Sequence, residues 1–318
     1  MRRVLILGGT AWLGRAIAKA ALAHGSEVTC LARGESGIVP RGARLLRADR
    51  RTPGAYDDVD GEWDDVVELS WDPGFVASAL DALAGRAAHW TLVSSVSVYA
   101  RADVPFADEM AELVDPVDLT RYADAKVHAE RLTSVRRGER ALLVRAGLIV
   151  GPGDPTDRFG YWPARFARGG RVLVPTSTGR HVQGIDVDDL AAWIELAGRA
   201  GVTGPVNAVG EEHPLADVLT AARDAADAAT ESVTLDDDTL EARGVQYWSG
   251  RRSLPLWLPA GEAGFARRSD AAFLAAGGVR RPLAETMRRT LDDERARGID
   301  RPRHAGLTAA EEREVLET

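Results

Sequence analysis

The sequence predicts an α/β protein built on a doubly wound parallel sheet, with a smaller, loop-rich C-terminal cap. Three observations carry that expectation. Short β-type apolar runs alternate with alanine-rich helical segments through the first half of the chain. A glycine-rich turn, Leu7 to Gly14 (LGGTAWLG), directly follows the first apolar run. From Gly151 the texture changes to Gly, Pro, Arg and aromatic residues, as in GPGDPTDRFGYWPARFARGGRV.

Taken in order, strands are expected at Val4–Leu7, Val28–Leu31, Ala43–Arg47, Asp65–Leu69, Trp90–Ser94 and Ala141–Arg145, each a short run rich in apolar residues. Helices are expected at Trp12–His24, Pro73–Ala84, Thr120–Arg136 and Val187–Arg199. Only Arg33 to Gly42 separate the second and third strands, too few residues for a crossover helix, so a loop or single turn is expected there. The sheet domain is expected over residues 1–152, completed by about 181–209, with the cap formed by 153–180 and 210–318. Tryptophans 162, 248 and 257 fall in the cap segments, where a second small core and a ligand pocket are both compatible with them.

Composition excludes several classes. The 318 residues suffice for a substantial core, and the single cysteine cannot form an internal disulfide. No spaced Cys/His set offers zinc ligands, and no metal is expected; the acidic runs Asp57–Asp65 and Asp236–Asp238 read as solvated loops. The start of the chain does not read as a signal peptide, and no apolar stretch approaches a membrane span, so a cytoplasmic protein is expected. The net charge of −8 lacks the basic footprint of a nucleic-acid binder. Of the 40 basic side chains only Lys19 and Lys126 are lysine and the other 38 are arginine, so either lysine can mark a place where arginine will not serve.

In a dinucleotide-binding turn the first glycine permits a tight bend, the second lets the backbone approach a pyrophosphate, and the third lets helix and strand pack closely. Here those places hold Gly8, Ala11 and Gly14, with Thr10, Trp12 and Leu13 between them. The second strand ends at Ala32, where an NAD site carries an acidic residue, and Arg33 follows; a guanidinium suits a 2′-phosphate, which favours NADP over NAD.

The run WTLVSSVSVYA, Trp90 to Ala100, ends a strand in small hydroxyl residues, among them Ser94 and Ser95. About 25 residues on, Tyr122 and Lys126 lie one turn apart on one helix face. A phenol titrates near 10 and needs help to exchange protons at neutral pH; a lysine can supply charge and bond a cofactor ribose, while a serine holds the substrate oxygen.

With these residues the chain resembles an extended short-chain dehydrogenase/reductase of the NAD-dependent epimerase/dehydratase family, from Met1 to about Arg199 and more faintly beyond. The resemblance implies a Rossmann-type fold and a Ser-Tyr-Lys triad. Tyr99 would mark the end of the fifth strand, with Ser95, four residues before it, as the triad hydroxyl, Tyr122 as the acid/base and Lys126 as its activator. It also implies that Asp49, with Arg50 beside it, faces the adenine, that Leu69 and Ser70 pass the cofactor, and that Ser94, Gly147 and Leu148 border it. Two departures narrow the chemistry. Val96 and Ser97 stand where sugar-nucleotide dehydratases carry Asp-Glu. Leu148 and Val182 stand where nucleotide-sugar epimerases carry Asn and Arg, leaving Arg165, Arg168, Arg171 or Arg180 to replace those contacts.

The expected function is an NAD(P)-dependent oxidoreductase acting on a carbonyl or secondary alcohol of a small, non-nucleotide molecule, with substrate between the sheet edge and the cap segments Phe159–Val172 and Gln246–Leu258. An epimerase with retained cofactor and a non-catalytic dinucleotide-binding regulator are the alternatives. A homodimer through the Tyr122 helix is common in such relatives.

Overall fold

The computed structural model describes residues 1–317. Its strands are β1 (Arg3–Leu7), β2 (Glu27–Ala32), β3 (Arg44–Arg47), β4 (Trp63–Glu68), β5 (Ala87–Ser95), β6 (Ala141–Ala146), β7 (Leu148–Val150), β8 (Gly170–Pro175), β9 (His181–Asp186), β10 (Gly204–Ala208), β11 (Glu212–Pro214), β12 (Thr230–Leu235), β13 (Gln246–Trp248) and β14 (Ser253–Pro255). Its helices are α1 (Trp12–Ala23), α2 (Pro73–Leu83), α3 (Tyr122–Arg137), α4 (Arg158–Ala167), α5 (Val187–Ala200), α6 (Leu215–Ala226), α7 (Asp237–Ala242), α8 (Ala271–Ala275), α9 (Leu283–Arg297) and α10 (Ala309–Glu317).

Seven strands form a parallel sheet in the order β10-β6-β5-β4-β1-β2-β3. The chain builds outward from β1 through β3, then returns to β4 on the other side of β1. That reversal opens a crevice at the carboxyl ends of β1 and β4, where open α/β sheets take their ligands. Side chains alternate between two cores: Val4 and Ile6 join Ile17, Ala18 and Ala21 of α1 and Ile194 of α5, whereas Leu5 and Leu7 join Val76, Leu80 and Leu83 of α2. Burial on both faces explains why these strands read as continuous apolar runs.

All six expected strands and all four expected helices form, and Arg33 to Gly42 contain no helix. Helix α3 begins at Tyr122, two residues later than expected. The Asp118 carboxylate accepts from the Thr120 amide at 3.0 Å and the Asp118 carbonyl from the Arg121 amide at 2.9 Å, which holds the preceding residues in a turn. Strand β5 ends at Ser95, and one 3-10 turn, Val96–Val98, separates it from Tyr99.

The cap departs from the loop-rich expectation. Residues 158–167 form α4, in which every residue from Phe159 to Phe166 is buried; Gly160 and Pro163 within it, and the Gly- and Pro-rich segment before it, are breaker signals that mask the helix in sequence. Phe159, Trp162 and Phe166 pack with Leu215 and Leu219 of α6, Met287 and Leu291 of α9, and Trp257 in a second core. Parallel pairs β8–β12 and β13–β14 complete the cap. The acidic runs are also not wholly solvated: Asp65 is buried in β4 against His89 at 3.0 Å, and Asp237 pairs with Arg180. Among the described residues no helix is long and apolar enough to cross a membrane, and no group of three or more His, Cys, Asp or Glu side chains could hold a metal ion.

Candidate active site

The glycine-rich turn is held by its own backbone. Gly8 has φ of +101°, and its carbonyl accepts from the Ala11 amide at 3.0 Å. A Cβ at Gly14 would stand 2.5 Å from the Gly8 carbonyl oxygen and 2.8 Å from the Gly9 Cα, so the third glycine is a packing requirement. Helix α1 then starts without a side-chain cap, leaving its first amides for a bound anion. Arg15 braces the turn, donating to the Thr10 carbonyl at 2.7 Å and the Ser36 carbonyl at 2.9 Å.

A cleft of about 230 Å³ runs from this turn over the carboxyl ends of β1 and β2. It brings together Gly8, Thr10, Ala11, Arg33, Asp49, Arg50, Leu69 and Ser70 of the expected cofactor set. Two of these are also engaged by protein partners. Asp49 pairs with Arg51 at 2.8 Å, whose hydrogen bonds and charge hold its carboxyl at about 2. Arg50 turns inward, makes a bidentate pair with the fully buried Glu68, and donates to the Phe75 carbonyl at 2.7 Å. Its principal partners are therefore protein groups, because an unpaired carboxylate at Glu68 would be costly. Arg33 remains half exposed beside Glu35, at 3.2 Å.

Leu69 also borders a second cavity of about 440 Å³, so the two spaces adjoin. This cavity is lined by Trp12, Leu13, Ser94, Ser95, Tyr122, Lys126, Gly147 and Leu148 from the expected set, by Trp248 of the cap segment expected to flank the substrate, and by Trp71, Thr156, Arg158 and Phe265, which the sequence does not single out. The Ser95 hydroxyl accepts from the Ser97 amide at 3.1 Å, while the buried Ser94 hydroxyl has no partner. Lys126 is buried and donates to the carbonyls of Val93 at 2.6 Å and Ser70 at 3.1 Å. Burial pushes its ammonium down to about 8, against the opposing charges of Glu68 and Glu130.

Burial raises the Tyr122 phenol, and a hydrogen bond with Ser95 and the charge of Arg158 pull the other way. Lys126 lies 5.9 Å from the centre of the Tyr122 ring. Arg158 and Lys126 are thus both cations on the walls of the cavity that Tyr122 faces. Trp71 meets Tyr122 edge to face at 5.9 Å.

Of the arginines expected to replace missing anion contacts, Arg165 pairs with Glu312 and Arg180 with Asp237, while Arg168 and Arg171 line a separate surface cleft. None lines the cavity. Arg158, at the start of α4, lies 4.9 Å from the Trp248 ring, and its Nε donates to Thr156 at 3.2 Å. Trp162 and Trp257 belong to the second core, whereas Trp248 faces the cavity in a left-handed conformation with φ of +67°, edge to face with Phe265. The loop before Arg158 is tied to the C-terminal region: the Gly153 amide donates to Asp293 at 2.8 Å, and the Asp157 carboxylate takes Arg301 and the His304 amide. Burial raises that carboxyl, but these donors outweigh it and hold it below the usual range.

The seven-stranded parallel sheet with helices on both faces is a Rossmann-type fold, and the two adjoining spaces lie along the carboxyl ends of its strands. Residues 74–210 match the sequence profile of the NAD dependent epimerase/dehydratase family. A proposed epimerase from Burkholderia cenocepacia J2315 is similar in structure, with a TM-score of 0.73 at 22% identity over 93% of this chain and 98% of that one. UDP-glucose 4-epimerase of Thermus thermophilus, solved as a complex with NAD, gives 0.66 at 21% identity over 92% and 99%. UDP-N-acetylglucosamine 4-epimerase from Bacillus cereus gives 0.70 at 14% identity over 96% and 100%. No curated protein matches by sequence.

Proposed function

We propose that the protein is a nicotinamide-dependent oxidoreductase acting on a carbonyl or secondary alcohol of a small, non-nucleotide molecule. The observation that carries this reading is that Ser95, Tyr122 and Lys126 face one cavity that adjoins the glycine-turn cleft at Leu69. The residues fit a dinucleotide: Gly14 is closed to any side chain, the first amides of α1 are uncapped, and the Ser94 hydroxyl is buried without a partner. A bound nicotinamide supplies or accepts the hydride.

The chain's own residues handle the proton and the orientation. The raised phenol of Tyr122 is protonated at neutral pH, as a proton donor to a nascent alkoxide must be. Ser95, within hydrogen-bonding reach of that phenol, would hold the same oxygen. Lys126, fixed by two carbonyls, would present its remaining proton toward the cofactor ribose. Trp71, Trp248 and Phe265 would exclude water from the reacting end.

NADP is the preferred cofactor in this reading, because Ala32 leaves no carboxylate at the end of β2 and Arg33 stands half exposed at the cleft. The decisive experiment is Tyr122→Phe. Turnover is expected to fall by about 10²–10⁴-fold, with dinucleotide affinity within about twofold of wild type. A variant with wild-type turnover would sink the assignment.

A second reading, an epimerase that oxidises and re-reduces one substrate, is supported by the family profile and by the epimerases among the solved relatives. Against a nucleotide-sugar substrate stand Leu148 at the cavity wall and Val182 in the second core. Dinucleotide that co-purifies and is never consumed would decide for the epimerase; stoichiometric loss of the reduced cofactor would decide against it.

A further inference from the structure

Arg158 differs from most arginines of this protein in what surrounds it. Arg50, Arg145, Arg165 and Arg301 are matched to the carboxylates of Glu68, Glu130, Glu312 and Asp157, and the buried Arg137 and Arg268 donate to backbone carbonyls, whereas Arg158 faces a cavity. Among the described residues no carboxylate forms an ion pair with Arg158, and its one hydrogen bond, from Nε to Thr156, leaves the terminal nitrogens of the guanidinium unused. Asp154 acts on it through charge alone, with its own oxygens taken by the Thr156 amide and hydroxyl. The cavity that Arg158 lines contains no acidic side chain. A partly buried cation without a directly bonded counter-ion is a ready partner for an anionic ligand that enters the cavity.

We propose that Arg158 is a specificity-determining residue that binds an oxyanion, a carboxylate or phosphate, carried by the substrate close to its reacting carbon. Two observations place that anion near the chemistry. Arg158 and Tyr122 line the same cavity, and the guanidinium carbon lies 4.9 Å from the centre of the Trp248 ring, while its terminal nitrogens bond no protein group. Trp71, Trp248 and Phe265 supply flat apolar walls for the rest of the molecule, so the preferred class is an aromatic or otherwise planar acid. Burial, which lowers the Arg158 guanidinium, adds to the gain when an anion arrives.

This inference rests on the reading of the cavity as the site of reaction, and the test separates the two. Benzoate, phenyl phosphate and benzamide share one ring and differ in charge. Their binding to the full chain, with and without NADP, is measured by quenching of tryptophan fluorescence and by calorimetry. At least one of the two anions is expected to bind about tenfold or more tighter than benzamide, and which one it is distinguishes carboxylate from phosphate. Arg158→Met is expected to abolish that preference while leaving dinucleotide affinity within about twofold, and Arg158→Lys to keep part of it. Equal affinity for all three probes would overturn the proposal, as would an Arg158→Met variant that loses dinucleotide affinity but keeps the preference. Failure of the chain to bind any dinucleotide would instead overturn the oxidoreductase reading, while anion preference in the cofactor-free protein would still stand.

Discussion

The ammonium of Lys126 lies 2.6 Å from the carbonyl oxygen of Val93, near the carboxyl end of β5. A second carbonyl, that of Ser70 just after the neighbouring strand β4, takes another of its protons. The lysine therefore bridges two strand ends with a compact head in a buried space, and a planar guanidinium on a different stem cannot make both contacts and still aim a proton at the ribose. Lys126→Arg is expected to lower turnover about 100-fold, whereas Lys19→Arg on α1 leaves it within about twofold. Steady-state rates for the two variants check this; full activity in Lys126→Arg would remove the need for a lysine.

The same burial has a pH signature. The folded protein holds the Lys126 proton with a pKa of about 8, below the ordinary lysine value of 10.5 carried by the unfolded chain. Below pH 8 both states are protonated and the folded state bears the full cost of a desolvated charge, about 3 kcal/mol. Between 8 and 10.5 the unfolded chain binds the proton more tightly, so the cost disappears as pH rises. Denaturant unfolding of wild type and Lys126→Met from about pH 7 to 10.5 is expected to show wild type gaining on the variant across that window. A constant difference would mean that the ammonium is not desolvated.

Arg33 should read the adenosine end of the cofactor. Loss of one charge-assisted bond to a 2′-phosphate is expected to weaken NADPH binding about tenfold or more in Arg33→Gln, with NADH affected by less than about threefold. Dissociation constants for both cofactors decide the point, and an equal loss for the two would assign Arg33 to the loop alone.

Arg50 should matter for folding more than for binding. Arg50→Met leaves the buried Glu68 carboxylate without its bidentate partner and is expected to cost roughly 3–5 kcal/mol of stability. Thermal unfolding of the variant measures this directly. Unchanged stability with lost dinucleotide binding would restore Arg50 to the cofactor.

The parts of this architecture that follow local rules were readable in the sequence. Strand β1 is apolar on both faces and bounded by glycine, and α1 buries Gly14, Ile17, Ala18 and Ala21 at helical spacing. Tyr122 and Lys126 are one turn apart, so their shared face needed no tertiary information. The cavity wall formed by Arg158, Trp248 and Phe265 is different, because those three come together only through the folding of segments far apart in sequence. The arginine-rich composition that made Lys126 conspicuous also hid Arg158, since one arginine among 38 carries no signal. Helix α4 is hidden for a different reason: Gly160 and Pro163 lie inside it, and these are the residues by which loops are recognised in sequence. Arg50 shows the converse error, a residue adjacent to the right place whose side chain is claimed by a buried carboxylate that sequence alone does not pair with it.

The loop that presents Arg158 is stitched at Gly153 and Asp157 to residues 293–304, a stretch remote from the sheet. A molecule seated against Arg158 is therefore expected to slow amide exchange at the end of α9 and in the segment that follows, a response that hydrogen exchange with and without an anionic probe would read at residues that do not line the cavity.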